Sequence, residues 1–507
     1  MKLLLGAGFT AGAAGSLLSA ARPARAAEPK KGGRFRLATN LHGPNDTLDP
    51  VMMESGLDYY RSAAYYNGLT RFNEDLSLTP ELAEEYSANA DATEFTFKLH
   101  RNVEFHDGKK LTADDVIYSM NRHLGEDSVS GAKALVSMIT EWKKVDNHTV
   151  KAILETPNSD LPAILATAHF KIVQDGASGE YFQKPAGTGP FVCEEFSPGI
   201  RSIGRRNENY WRETAHVEEF ESFAITDSTS RVNALLAGDV DMIMAIDPNL
   251  IDQVEATEGM DVVSIPSGAY SDIVAMLDRE PGNNPDFVMG LKYLQRRDRV
   301  VQTILKGHGT IGNDHPIGPA YNEHCADLEQ RAYDPDKAKF HLERSGVTSA
   351  VIHAADIGNG LVDMCLMLQR EAQKIGFNLE VKRVPNDGYW GTVWMKQPLM
   401  VSNWNMRPTA NTMLSFAYAS TAPWNESQWK DEAFDELLLA ARAEPDAALR
   451  SEMFCDMQRM IRDGAGTLIA AHPNLVDGKA SHVQGVPEIP LGPLGSGALP
   501  ESVWIDA

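Results

Sequence analysis

Stretches with a two-residue hydrophobic period alternate with stretches of helical period along almost the whole chain, and this alternation narrows the fold more than any other feature. Glu94 to Leu99 sets Phe95, Phe97 and Leu99 on one face of a strand, and Arg34 to Ala38 alternates in the same way. After the turn residues Asp107-Gly108, Thr112 can cap a helix whose first turn holds Asp114 and Asp115, where the helix dipole favours carboxylates. Val116, Ile117, Met120 and Leu124 form its apolar stripe. The spacing predicts further helices from Asp286 to Lys306, Asp336 to Ser345 and Gly360 to Ile375, each stopped by a glycine (Gly307, Gly346, Gly376). A strand from Asn378 to Val384 follows, then a helical pair, Glu432 to Ala443 and Asp446 to Arg462, broken at Pro445. Strands scattered among helices in this way give α/β lobes, each built around its own sheet.

The 507 residues make two or three domains at about 150 residues each. A mean hydropathy of −0.29 argues against a polytopic membrane protein. Met1 to Ala21 stands apart: one charge, Lys2, precedes a Gly-, Ala- and Leu-rich stretch, and Ala24-Arg25-Ala26-Ala27 follows. These are the parts of an export signal, with cleavage expected after Ala26. Arg25 and the weak hydrophobicity resemble a twin-arginine leader, although the arginine pair itself is absent. Removing residues 1–26 takes away Lys2, Arg22 and Arg25 and no acid, so the formal charge moves from −23 to −26. Such a charge repels nucleic acid and anionic lipid, so an acidic ligand needs a basic residue inside a shielded cleft.

Chemistry that would mark an enzyme is not legible. Gly307-His308-Gly309-Thr310-Ile311-Gly312 matches G-x-G-x-x-G but follows a helical pattern where the dinucleotide fingerprint needs a strand, so it reads as a flexible loop. The sequence contains no G-x-x-x-x-G-K-[ST], G-x-S-x-G or H-E-x-x-H, and no cofactor is called for. Cys193, Cys325, Cys365 and Cys455 are widely spaced without C-x-x-C, compatible with isolated buried thiols or with one disulfide of undetermined pairing. The aromatic distribution says more. Of eight tryptophans, Trp390, Trp394, Trp404, Trp424 and Trp429 fall within one short stretch, interleaved with Asn403, Asn405, Arg407, Thr409, Asn411 and Asn425. Trp390 and Trp394 have core-like i, i+4 spacing, whereas Trp404 and Trp424 sit beside turn-forming residues. Flat apolar faces with amides and one guanidinium suit a cleft for a polar organic solute.

Phe105-His106-Asp107-Gly108-Lys109-Lys110-Leu111-Thr112-Ala113-Asp114-Asp115-Val116-Ile117-Tyr118-Ser119 closely resembles the signature of the bacterial extracellular solute-binding proteins of family 5, the peptide, oligopeptide and nickel binders of ABC importers. Thr47-Leu48-Asp49-Pro50, Gly68-Leu69-Thr70, Pro80-Glu81-Leu82-Ala83, Gly187-Thr188-Gly189-Pro190-Phe191, Arg206-Asn207-Glu208-Asn209-Tyr210-Trp211 and Tyr333-Asp334-Pro335-Asp336-Lys337-Ala338 continue the resemblance in family order. It implies a two-lobed periplasmic binding protein of the Venus flytrap type. The first lobe would take 30–72, 186–268 and 476–507, an inserted α/β subdomain 73–185, and the second lobe 269–475. Family peptide binders hold the ligand ammonium with an Asp shortly after Gly-Trp. Here Ser402-Asn403-Trp404-Asn405-Met406-Arg407-Pro408-Thr409 keeps the tryptophan but offers an arginine, whose fork suits a carboxylate or phosphate.

These readings lead to a periplasmic, monomeric protein that captures a peptide-like, opine-like or other carboxylated solute and passes it to permease subunits in the inner membrane. The expected ligand contacts are Trp404 and Trp424 by stacking, Arg407 as anion partner, and Asn405 and Asn425 as amide partners. From the first lobe come Asn45 and Asp46, which can supply the missing acid, and Tyr270 lies near the crossover. A secreted hydrolase would need a nucleophile–base pair, and a metal- or haem-binding relative a ligand cluster; the dispersed histidines favour neither.

Overall fold

The computed structural model describes residues 28–40, 45–53, 55–212, 215–358, 360–386, 388–444 and 446–506, so the expected leader and the Pro445 break lie outside the described residues. Three larger sheets organise the chain. A seven-stranded sheet runs in the order Met260–Ile265, Leu475–Ala480, Met242–Ile243, Arg34–Thr39, Glu219–Ala224, Arg201–Arg206, Phe191–Ser197. A six-stranded sheet runs Gly309–Ile311, Thr467–Pro473, Tyr270–Ala275, Leu399–Trp404, Ser349–Ala354, Asn378–Arg383. Inserted into the first sheet between Arg34–Thr39 and Phe191–Ser197, the strands Ala83–Ala88, Glu94–Leu99, Thr149–Leu154 and Ile139–Asp146 form a four-stranded antiparallel sheet.

Each sheet carries its own apolar core. Phe35, Phe191 and Phe220 pack on the first, Phe287, Ile352 and Met400 on the second, and Phe97, Val116 and Trp142 on the third. Chain connectivity ties the first two sheets at one place. Met260–Ile265 and Tyr270–Ala275 are consecutive, as are Thr467–Pro473 and Leu475–Ala480, and each pair has one strand in either sheet.

Most local expectations hold for the reasons that suggested them. The helix Ala113–Asn121 opens with the Thr112 main-chain N–H and hydroxyl both donating to Asp115 Oδ2 at 2.9 Å. The helix Pro335–Ser345 starts where Asp334 accepts the Lys337 N–H and ends at Gly346, whose φ of 70° a side chain would resist.

Two expectations change. The helix drawn from 286 to 306 is a helix only over Pro285–Tyr293, resuming as short turns at Arg297–Arg299 and Val300–Ile304. The break lets Gln295 and Arg297 reach the buried Asp314 at 2.7 and 2.6 Å, and pairing that carboxylate outweighs unbroken helix bonding. Within the G-x-G-x-x-G segment, Gly309–Ile311 is a strand at the edge of the six-stranded sheet, its main chain paired with Ala471–Pro473. Long-range pairing overrides the loop-forming composition. One disulfide forms, Cys325–Cys455, while Cys193 and Cys365 are buried thiols. Among the described residues no helix is long and apolar enough to cross a membrane.

Candidate functional site

The strand Leu399–Trp404 lies in register with Tyr270–Ala275, so Trp404 stands opposite Tyr270 and their rings stack 6.3 Å apart at 16°. Trp404 is fixed from below: its indole N–H donates to Glu426 Oε1 at 2.8 Å, and Trp394 donates to Glu426 Oε2 at 2.6 Å. Asp272 neighbours Glu426 in the same buried layer. Burial first, and the Glu426 charge second, raise the Asp272 pKa well above the carboxylate range.

Three residues beyond Trp404 the chain leaves the sheet, and the Arg407 main-chain N–H donates to Tyr321 Oη at 2.9 Å. The guanidinium lies over three rings, 5.9 Å from Trp404, 5.8 Å from Phe416 and 6.0 Å from Trp424. Trp424 in turn stacks on Phe416 at 5.6 Å. Among the described residues no carboxylate pairs with Arg407, and its Nε is buried without a hydrogen-bond partner. Burial lowers its pKa from the usual arginine value, with Tyr321, Tyr270 and Tyr59 opposing. The cation is retained, since arginine stays protonated in proteins.

Tyr59 and His169, from distant parts of the chain, lie near enough to this cation to interact with it electrostatically. Tyr59, on the helix Gly56–Tyr65, packs edge-on against His169 at 5.1 Å. His169 is pushed down to about 4, chiefly by burial and further by Arg407, so its imidazole is neutral near pH 7. The site is a box of aromatic faces with one unneutralised guanidinium and a neutral imidazole, chemistry suited to an anionic, partly flat solute.

The fold thus brings Trp404, Arg407 and Trp424 together, with Tyr270 fully buried as the backing of Trp404. Asn405 and Asn45 are exposed. Asn425 is buried, and its amide serves its own loop: Nδ2 donates to the Ala419 and Trp429 carbonyls and Oδ1 accepts the Trp429 N–H. Asp46 meets Arg61 at 2.7 Å with both side chains buried, so its carboxylate is engaged in the core beneath the first sheet. Tyr59, His169, Phe416, Tyr321 and Glu426 escaped the sequence reading. Only Phe416 and Glu426 fall near the tryptophan-rich segment, and none sits in a motif. Among the described residues no group of three or more His, Cys, Asp or Glu side chains converges as a metal site would require.

Two sheet-centred lobes joined at paired crossovers form the architecture of a two-lobed solute-binding protein. Residues 77–426 match the family described as bacterial extracellular solute-binding proteins, family 5 Middle, and the chain belongs to that family. It is 24% identical to the dipeptide-binding protein of Escherichia coli (strain K12), over 89% of this chain and 91% of the other. The fold is shared with the ABC transporter substrate-binding protein CtaP from Listeria monocytogenes (TM-score 0.83, 19% identity, 94% of this chain and 100% of the other). It is also shared with AgaA from A. tumefacien R10 in complex with agropinic acid (TM-score 0.78, 22% identity, 94% and 99%). The chain is accordingly a substrate-binding component of an ABC importer.

Proposed function

We propose that the cargo is a small polar organic solute bearing a carboxylate and no free ammonium, such as an opine-like conjugate or an amine-blocked peptide. One observation carries this reading: Arg407 is a half-buried cation with no acid beside it among the described residues, its Nε closed off from solvent and its guanidinium held among three aromatic rings. A desolvated ammonium would need an anionic partner, whereas the nearby acids are engaged, Asp46 by Arg61 and Glu426 by two indoles. The relative in complex with agropinic acid supports the same ligand class.

Arg407, Trp404, Trp424 and Asn405 then contact the solute from the second lobe and Asn45 from the first, while Tyr270, Asn425 and Asp46 serve as supports. The three-sheet arrangement supports lobe limits of 30–72, 186–268 and 476–507 for the first lobe, 73–185 for the insert and 269–475 for the second lobe. The chain acts as a monomer without turning its solute over, and binds no nucleic acid. Residues 1–26 direct export; the twin-arginine route draws support only from Arg25 and the weakly apolar leader.

Calorimetric titration with agropinic acid, an N-acetylated dipeptide and the same dipeptide with a free amine tests the ligand class. At least one amine-free carboxylate binds, the free dipeptide binds about tenfold more weakly or worse, and Arg407→Ala abolishes the binding. Unchanged affinity in Arg407→Ala, or a preference for the free amine, overturns the reading.

A further inference from the structure

Beside the Arg407 segment the inserted subdomain meets the second lobe at Asp160 and its neighbour Ser159. Asp160 precedes the short helix Leu161–Leu165, whose Leu161, Ile164 and Leu165 are buried in the core of the four-stranded sheet. Its carboxylate does not cap that helix. Instead Asp160 Oδ2 accepts from Thr409 Oγ1 at 2.7 Å and from Asn411 Nδ2 at 3.0 Å, and Oδ1 lies 3.6 Å from Arg450. Thr409 stands two residues after Arg407 and caps the helix Ala410–Ala417, which carries Phe416 of the aromatic box. Neighbouring bonds reinforce the contact: Arg450 donates to Ser159 Oγ, Ser159 donates to the Arg442 carbonyl, and Arg442 donates to Asn411 Oδ1. Asp160 and Asn411 are both buried, so the carboxylate works against little solvent competition.

We infer that Asp160 is a positioning residue for Arg407, a latch on the inserted subdomain that holds the 405–411 segment and the Phe416 helix in binding geometry by gripping Thr409 and Asn411. The inference rests on the reading of Arg407 as the anion site. All partners of the latch are protein groups, so it forms without solute and biases the lobes toward closure. The inserted subdomain thereby gains a task in binding beyond the His169 imidazole that it places beside Arg407.

Hydrogen exchange of peptides spanning 405–417 in the ligand-free full chain tests the latch directly. Asp160→Ala speeds exchange there by about tenfold and weakens agropinic acid binding by a similar factor. Asp160→Asn, which keeps an acceptor oxygen for Thr409, restores part of both. Thr409→Val reproduces the effect and does not add to it in the double variant; it also stands in if Asp160→Ala does not fold. Unchanged exchange in folded Asp160→Ala and Thr409→Val, or strictly additive effects, overturns the latch. The two readings fail separately. If Arg407→Ala abolishes binding while Asp160→Ala alters neither exchange nor affinity, the latch falls alone. If exchange accelerates in Asp160→Ala but agropinic acid affinity ignores Arg407→Ala, the anion reading falls alone.

Discussion

The indole nitrogen of Trp404 and the carboxylate of Glu426 meet at 2.8 Å in a layer closed to solvent, and this bond fixes the floor on which Arg407 rests. Glu426 serves Trp394 with its other oxygen, so one carboxylate orients two tryptophans.

Replacing Glu426 by Gln leaves one acceptor oxygen for two indole N–H donors. The orphaned buried donor and the lost charge-assisted bond lower stability by about 2 kcal/mol, read from the urea midpoint. Tryptophan emission shifts as one ring loses its anchor.

A half-buried cation without a counter-charge burdens the empty protein. Arg407→Met keeps an apolar body of similar length and removes the unpaired charge. It therefore raises the ligand-free thermal midpoint, with a gain of about 1 to 3 kcal/mol, while carboxylate binding disappears. Calorimetric scanning of the empty protein together with a binding titration checks both halves.

Asp46→Ala strands Arg61, which retains Ser202 and the more distant Asp58. The expected cost is about 3 kcal/mol in denaturant unfolding. Replacing Asp46 and Arg61 together by apolar residues costs less than Asp46→Ala alone. Solute affinity in folded Asp46→Ala stays near that of the wild type, because the carboxylate is committed to the core.

Asp477 accepts main-chain N–H groups of Ala245 and Leu494, yet burial pushes it up to about 6. Its unfolded value lies near 4. The folded chain binds the extra proton between these values. The group's contribution to stability is therefore complete below about pH 4 and lost as pH rises through about 6. Relative to Asp477→Asn, the wild type loses about 2 to 3 kcal/mol on going from pH 4 to pH 7. Paired denaturant titrations across that range measure the difference.

Elements whose reasons are local were readable from the sequence: the Glu432–Ala443 helix behind its Asp431 cap, the Thr112–Asp115 box, and the glycine stop at Gly346. The Gly309–Ile311 strand and the break after Tyr293 were not, because each answers to a partner far along the chain, Thr467–Pro473 for one and Asp314 for the other. The site divides in the same way. Trp404, Arg407 and Trp424 stood out because aromatics and a cation crowd one segment. Tyr59, His169 and Asp160 lie hundreds of residues away and carry no pattern of their own. Asn425 illustrates the opposite error, since an amide beside a tryptophan looks available until its loop is seen to use every bond it offers.

Met260–Ile265 pairs with Leu475–Ala480 in one sheet, and the strands that continue them, Tyr270–Ala275 and Thr467–Pro473, pair in the other. One antiparallel ribbon therefore threads both halves, with ladder hydrogen bonds on either side of the crossing. Such a ribbon flexes about a single transverse line and resists sliding along its length. Sliding would break the ladder hydrogen bonds that bending keeps, so the ribbon favours a bend at the crossing over a change of register.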